Sequence, residues 1–285
     1  MTIAVTFLPR TAPAPLPPIA FIGGGNMASA IIGGLIQQGT PADSFEVVEP
    51  FEAARTKLAH SFGITAQAEA SEALSRCAVV VWAVKPQTFA EAAKPVRAFA
   101  GDALHLSVAA GIPSDSIARW VGTERVVRAM PNTPALVGQG MTGLFARPDV
   151  SGADRALVAQ LLTPTGELLW VDTEPALDAV TAMSGSGPAY VFYFIEAMTE
   201  AGIEMGLTPD QAQRLAIGTF TGASALAHSA TEPPSVLRER VTSKGGTTYA
   251  AITSLEGADV KAQFKTAIRA AQKRAAELGE EFGRG

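Results

Sequence analysis

Ile19-Ala20-Phe21-Ile22 runs straight into Gly23-Gly24-Gly25-Asn26-Met27-Ala28, and this stretch decides the fold. The four apolar residues read as a buried strand. The glycines fit G-x-G-x-x-A, and the segment behind them, Asn26–Gln38, has helical character. In that strand–turn–helix context the first glycine makes the tight turn and the second lets backbone approach a pyrophosphate. The small Ala28 lets helix pack closely on strand. The pyrophosphate would sit on the helix N-terminus, where unpaired N–H groups and the dipole favour an anion. Ile22, Gly23, Gly24, Gly25, Asn26 and Met27 are therefore candidate cofactor-binding residues. The bland alternative is a flexible glycine loop.

Working outward, short apolar runs recur at Phe45–Val48, Ala78–Val84, Leu104–Ala109 and Arg125–Ala129. Several are nearly continuous in Val and Ile, as expected of parallel strands buried on both faces. Helical segments separate them at Glu52–Ser61, Gln87–Ala98 and Ser114–Val121. This alternation predicts βαβ units in a doubly wound, mostly parallel, Rossmann-like sheet. Two more strands are expected at Met141–Ala146 and Glu167–Val171, around a helix at Gly152–Leu162.

Beyond Asp172 no strand is expected. Residues 174–205 read as helix interrupted at Ser184–Gly187, and Ala189–Ala197 is apolar nearly all round, so that helix should be buried on most sides. Thr208-Pro209-Asp210-Gln211 is a helix start, with further helices to about Ala227, near Ser235–Val241 and over Asp259–Gly279. The organisation expected is a flexible Pro-rich tail (1–17), a dinucleotide-binding domain (18–172) and an all-helical domain (173–285). So small a helical domain cannot easily bury its apolar helix alone, and burial against a second subunit resolves this.

Composition sets the outer limits. A chain of 285 residues that is 47% hydrophobic and 17% charged has ample core and is not disordered. One cysteine, Cys77, excludes a disulfide framework or a cysteine-based metal site, and three scattered histidines make a metal cluster unexpected. A net charge of −5 argues against nucleic acid as partner. Prolines and glycines break the uncharged stretch 11–42 well short of the roughly 18 apolar residues a membrane span needs. A reducing, cytoplasmic location is the default expectation.

Other candidate site residues follow from position. Glu49 ends the second strand, where an acid can accept hydrogen bonds from adenosine ribose hydroxyls and repel a 2′-phosphate. That leans toward NADH over NADPH, although nearby Arg55 could favour phosphate; a solvated loop carboxylate is the alternative. Ala83, Val84, Lys85 and Pro86 close the third strand, Ala109, Ala110 and Gly111 the fourth, and Asn132 follows the fifth. Ligands of open parallel sheets lie beyond the carboxyl ends of the strands, so these loops should border the cofactor. Lys85 is otherwise an ordinary solvated lysine. In the helical half, Ser184-Gly185-Ser186-Gly187 and Thr242-Ser243-Lys244-Gly245-Gly246-Thr247-Thr248 can present hydroxyls and bare N–H groups to a small carboxylate. Ser186 or its neighbour should cap the long helix. By composition alone each is a turn and a cap.

Five segments in order carry a resemblance: Phe21–Ala28; Ala83–Pro86; Met130-Pro131-Asn132-Thr133-Pro134; Ser184–Tyr190; and Val241–Ile252. Together they resemble the pyrroline-5-carboxylate reductases over essentially the whole chain from about Pro18 to Gly279. Lys244 stands where the family signature has proline, and Ala70 where many members have an asparagine.

The resemblance implies hydride transfer from NAD(P)H to the imine carbon of 1-pyrroline-5-carboxylate, giving L-proline. It implies that Thr248 hydrogen-bonds the ring nitrogen, as the catalytic residue. The backbone of Gly246–Thr248 would hold the carboxylate, with Ser186, Ser243, Gly245, Gly246 and Thr247 as further substrate-binding residues. It also implies a domain-swapped homodimer built on the C-terminal helices and larger rings such as a decamer. Two alternatives stand beside it. A β-hydroxyacid dehydrogenase-like enzyme would need a catalytic lysine in the helical half, where only Lys244 lies in a glycine loop. A non-catalytic nucleotide-binding regulator would need no second-substrate cradle.

Overall fold

The structure, a computed structural model, describes residues 16–283. Its sheet has seven strands: β1 (Ile19–Ile22), β2 (Phe45–Val48), β3 (Val79–Trp82), β4 (Leu104–Ser107), β5 (Val126–Met130), β6 (Gly140–Ala146) and β7 (Gly166–Trp170). Their order is β2-β1-β3-β4-β5-β6-β7. β1 to β5 are parallel; β6 runs antiparallel to β5, and β7 parallel to β6. This is the doubly wound, mostly parallel sheet expected, with β6 and β7 reversed at one edge.

The helices between the strands are α1 (Asn26–Gln37), α2 (Glu52–Phe62), α3 (Phe89–Arg97), α4 (Ser114–Val121) and α5 (Gly152–Leu162). They cover both faces. Alternate residues of each strand point to opposite faces. Ile19, Phe21, Val79, Val81, Leu104 and Leu106 enter one core, with Ile31, Ile32 and Leu35 of α1. Ala20, Ile22, Val80 and Trp82 enter the other, with Phe89, Val96 and Ile117. Burying each large side chain contributes roughly 1.5–3 kcal/mol. Two strands are shorter than expected: β3 stops at Trp82 and β4 at Ser107, and after one last interstrand bond each, Ala83 to Ile22 at 2.8 Å and Val108 to Trp82 at 3.0 Å, the chain turns off as loops.

The expected tail falls mainly on residues outside those described. Its last part is not free: Leu16 packs on the first core, and the Pro18 carbonyl accepts from the Ala78 amide at 3.0 Å.

The rest is helical: α6 (Ala176–Val180), α7 (Gly187–Glu204), α8 (Pro209–Ser229), α9 (Pro234–Arg240), α10 (Thr247–Gly257) and α11 (Val260–Gly283). The start of α8 is as expected: Thr208 Oγ1 accepts from the Gln211 amide, and Gln211 Oε1 from the Thr208 amide. The break expected at Ser184–Gly187 is instead a widened π-turn over Thr181–Gly185, closed by the Ser186 amide donating to the Thr181 carbonyl at 2.8 Å. α11 continues past Gly279 to Gly283. α7 is not buried on most sides within one chain: Phe192 is 64% and Tyr193 68% exposed. The residues this half does bury are few and mostly small, among them Leu177, Ala182, Ala212, Ala216 and Ala275. Among the described residues no helix is long and apolar enough to cross a membrane.

Candidate active site

The chain turns from β1 to β2 on one side and returns to β3 on the other, so the sheet's switch point lies at the end of β1. Gly23 occupies that point with φ +96°, and its amide donates to the Val48 carbonyl at 2.8 Å. A Cβ there would stand 2.6 Å from the Ala83 carbonyl oxygen and 3.2 Å from Val84. Both conformation and space therefore demand glycine. Gly25 is the N-cap of α1, and the first turn holds no acidic residue. The amides of Gly25, Asn26 and Met27 are placed to receive an anion at that helix end.

Glu49 is not a solvated loop carboxylate. It is 6% exposed; Oε2 accepts from the Gly24 amide at 2.7 Å and Oε1 from the Phe51 amide at 2.9 Å. The Gly24 amide is thereby committed to Glu49. Arg55 is tied back to the same turn, donating through Nη1 to the carbonyls of Glu49 and Pro50 at 2.9 and 2.7 Å.

The other loops lie along the same edge. Ala83 continues from β1's neighbour, its amide donating to Ile22 at 2.8 Å. Lys85 is exposed and precedes the turn Pro86–Thr88, its carbonyl accepting from Thr88 Oγ1 at 3.0 Å. Ala109 is buried, with its amide donating to Ser107 Oγ at 3.3 Å, while Ala110 is exposed and Gly111 has φ +74°. Asn132 links the two halves: Oδ1 accepts from the Met141 amide at 2.9 Å, and Nδ2 donates to the Ser184 carbonyl at 3.1 Å. A Cβ on Gly185 would meet Met130 Cε at 2.5 Å, so the Ser184–Gly187 segment abuts the carboxyl end of β5.

Two expectations for the helical half need correction. Ser186 precedes α7 in helical conformation and makes no side-chain capping bond, because the π-turn runs on into the helix and its amides already have carbonyl partners. Thr247 and Thr248 are not loop residues. They form the first turn of α10, with Gly246 as N-cap and no acidic neighbour in that turn. Ahead of them Ser243–Gly246 is a turn closed by the Gly246 amide on the Ser243 carbonyl at 3.0 Å, with Gly245 at φ +77°. That is a type II pattern, in which Lys244 holds the position proline favours.

α10 packs principally on α11. A cavity of about 430 Å³ is lined by Asn132, Met183, Ser184, Pro188, Tyr190 and Phe264, and a groove of about 1420 Å³ runs along Pro134, Phe192, Ile195, Ile217 and Phe220. Thr248 lines neither.

Sequence reasoning missed a polar junction where the helical half begins. Glu174 accepts from the Ser114 amide and Ser114 Oγ, both at 2.6 Å, and from Arg128 Nη1 at 2.7 Å. Arg147 adds bonds to Ser114, Asp115 and Glu124. Burial pushes the Asp178 carboxyl above its usual range; Arg128 opposes this and Glu174 adds to it. The arginine in an otherwise apolar strand was the available signal. Cys77 is no nucleophile: burial, then Glu46, pushes its thiol up to about 11.

The comparisons match this geometry. Residues 174–278 match a family model described as pyrroline-5-carboxylate reductase dimerisation, and residues 18–111 one described as NADP oxidoreductase coenzyme F420-dependent. A pyrroline-5-carboxylate reductase of Pseudomonas aeruginosa is 46% identical over 94% of this chain and 98% of its own length. The solved structure of a pyrroline-5-carboxylate reductase from Coxiella burnetii superposes with a TM-score of 0.86 at 35% identity, covering 92% of this chain and 98% of that one. The Plasmodium falciparum pyrroline carboxylate reductase, solved with NADP bound, gives 0.82 at 27% identity over the same shares. A switch-point glycine cradle, the ordered loops beyond β3 to β5 and a relative this similar along nearly the whole length lead to one conclusion: the chain belongs to the pyrroline-5-carboxylate reductase family.

Proposed function

We propose that the protein reduces 1-pyrroline-5-carboxylate to L-proline, the last step of proline synthesis. The observation that carries this reading is that the chain presents two anion-ready helix ends. One is the Gly23–Met27 cradle of α1; the other is the Gly246 N-cap of α10, whose first turn carries Thr247 and Thr248. The residues of the cradle fit a nicotinamide dinucleotide: no protein atom lies within 4 Å of where a Cβ on Gly25 would stand, so the N-terminus of α1 is open to a pyrophosphate. A bound NAD(P)H supplies the hydride.

The chain's own groups hold and orient. The amides of Gly246–Thr248 take the substrate carboxylate, with Ser186, Ser243, Gly245 and Thr247 shaping the cradle. The Thr248 hydroxyl accepts from the protonated ring nitrogen and so fixes which face of the imine meets the cofactor loops. Hydride addition at carbon moves the C=N π pair onto nitrogen, which keeps its proton. A protonated imine is already electrophilic, so no general acid is required. Positioning in near-attack geometry can contribute roughly 7–11 kcal/mol.

Glu49 supports NADH over NADPH. It is buried and fixed where adenosine ribose hydroxyls can donate to it, and a 2′-phosphate there would meet a carboxylate. The open groove and the exposed Phe192 and Tyr193 support a domain-swapped homodimer through the C-terminal helices, within a larger ring such as a decamer. In that assembly Thr248 meets a cradle across two chains. A cytoplasmic enzyme fits the single buried Cys77. The β-hydroxyacid dehydrogenase-like alternative has less support, because Lys244 is exposed on the Ser243–Gly246 turn.

The test is proline formation from the imine with NADH and with NADPH; absence of turnover with both overturns the reading. Thr248→Ala is expected to lower kcat by about 10²-fold, the cost of a lost positioning contact, while dinucleotide binding is unchanged.

A further inference from the structure

The loop between β4 and α4 (Val108–Pro113) is held from outside its own half of the molecule. The far end of α11 reaches back to it across more than 160 positions of chain. A Cβ built on Gly111 would lie 3.3 Å from Phe282 Cδ2 and 3.4 Å from Leu278 Cβ, so the glycine backbone sits flush against both side chains. Phe282 packs into the second core, whose members include Ala109 and Ile112. The Gly283 carbonyl, at the open end of α11, accepts from Ser116 Oγ at 2.9 Å and Arg119 Nη2 at 3.3 Å. At the loop's other end Glu174 grips Ser114 through both its amide and its hydroxyl. The helical half thus clamps this loop at two points.

α11 also reaches the opposite side of the site. Phe264 and Ile268 line the 430 Å³ cavity beside Asn132 and Ser184. Ile268 and Phe282 are separated by about 21 Å of helix, at 1.5 Å per residue. One rigid rod, on which α10 packs, therefore spans from that cavity to the β4–α4 loop.

We infer that the carboxyl-terminal turn of α11, through Leu278 and Phe282, positions the Ala109–Gly111 loop against the nicotinamide end of the bound dinucleotide. Phe282 is a positioning residue: it touches the loop and acts through it. The inference rests on the reading that Ala109–Gly111 borders the cofactor. Displacing such a loop by about 1 Å is enough to cost up to 10²-fold in a positioned reaction.

The discriminating probe is ADP-ribose (with its 2′-phosphate form for NADPH), which shares the adenosine and pyrophosphate of the cofactor but lacks nicotinamide. Affinities of the full-length wild type and Phe282→Ala for NADH, NADPH and the matching fragments are measured by calorimetry, with thermal unfolding of each. The expected result is a rise of about tenfold in the Kd of the intact dinucleotide, a fragment Kd within about twofold of wild type, and recovery in Phe282→Leu. Ser116→Ala, which removes one bond to α11's end, should shift the same ratio in the same direction even if Phe282→Ala does not fold. Equal weakening of dinucleotide and fragment, or no change in either, overturns the inference. A wild type that binds fragment and dinucleotide equally well overturns the placement of the loop, and one that binds neither overturns the cofactor reading; the inference falls with either.

Discussion

The Glu49 carboxylate and the Gly24 amide meet at 2.7 Å, joining the end of β2 to the turn after β1. One buried side chain thus shapes the glycine turn and defines the charge at its rim. Replacing it tests both roles. Glu49→Gln keeps one carbonyl acceptor but turns an amide N–H₂ toward a backbone donor, either Gly24 or Phe51. It should cost about 1–3 kcal/mol of stability, read by urea unfolding. Glu49→Ser removes the charge, and the kcat/KM ratio for NADPH over NADH should rise by about tenfold or more, since juxtaposed like charges cost several kcal/mol. An unchanged ratio would remove Glu49 from cofactor choice.

Gly23→Ala should disable the cradle. The new methyl would stand 2.6 Å from the Ala83 carbonyl oxygen, at a backbone φ of +96° that alanine rarely adopts. Either β1 and β3 part at their ends or the turn is rebuilt. Dinucleotide affinity is expected to fall by about 10²-fold or more, measured by fluorescence titration. Retention of wild-type affinity would sink the assignment of the pyrophosphate to this turn.

His105 sets an acid limit on stability. Trp82 Nε1 is a donor only, so its 2.9 Å bond requires an unprotonated Nδ1 on His105; the hydrogen is on Nε2, facing the Ala100 carbonyl at 3.1 Å. Burial lowers the imidazole from 6.5 to about 4. Above pH 6.5 both folded and unfolded chains hold it neutral. As pH falls from 6.5 toward 4 only the unfolded chain takes up the proton, so stability drops, on the order of 3 kcal/mol in all. Unfolding free energies at pH 7 and 4.5 should therefore converge more closely in His105→Asn, which lacks that proton, than in the wild type.

Lys244→Pro should stabilise. The Ser243–Gly246 turn has the type II pattern, and its second position accepts the fixed φ of proline. Reducing the freedom of the unfolded chain is worth about 0.4–1 kcal/mol. The rise in Tm should come with unchanged KM for the imine; a fall in Tm would show that the Lys244 backbone is not in that conformation.

The sheet was legible because its strands are buried on both faces. Val79-Val80-Val81-Trp82 has no polar member to confuse the pattern, and the glycine turn at Gly23 marks where β1 ends. α10 was not legible: it is short, its first residues are Thr247 and Thr248 behind the N-cap Gly246, and β-branched threonines behind a glycine read as a loop. Gly279 looked like a helix stop, yet α11 runs on because Phe282 finds a core to enter. The partners of Glu174 lie 46 and 60 positions away, beyond any local pattern. Asn132 could be named as a site residue from its place after β5, but not its bond to Ser184, which depends on how the two halves pack.

The π-turn at Thr181–Gly185 holds one residue more than a regular helix would over the same rise. Deleting that surplus residue would return the turn to ordinary α-helix with the helices on either side still in phase, whereas deleting one inside α7 would turn everything downstream by about 100° around the axis. The widened turn is thus a slack link that absorbs a length change a regular helix would convert into rotation. A one-residue deletion between Thr181 and Gly185 should leave α7 packed on α8, and the same deletion within α7 should not.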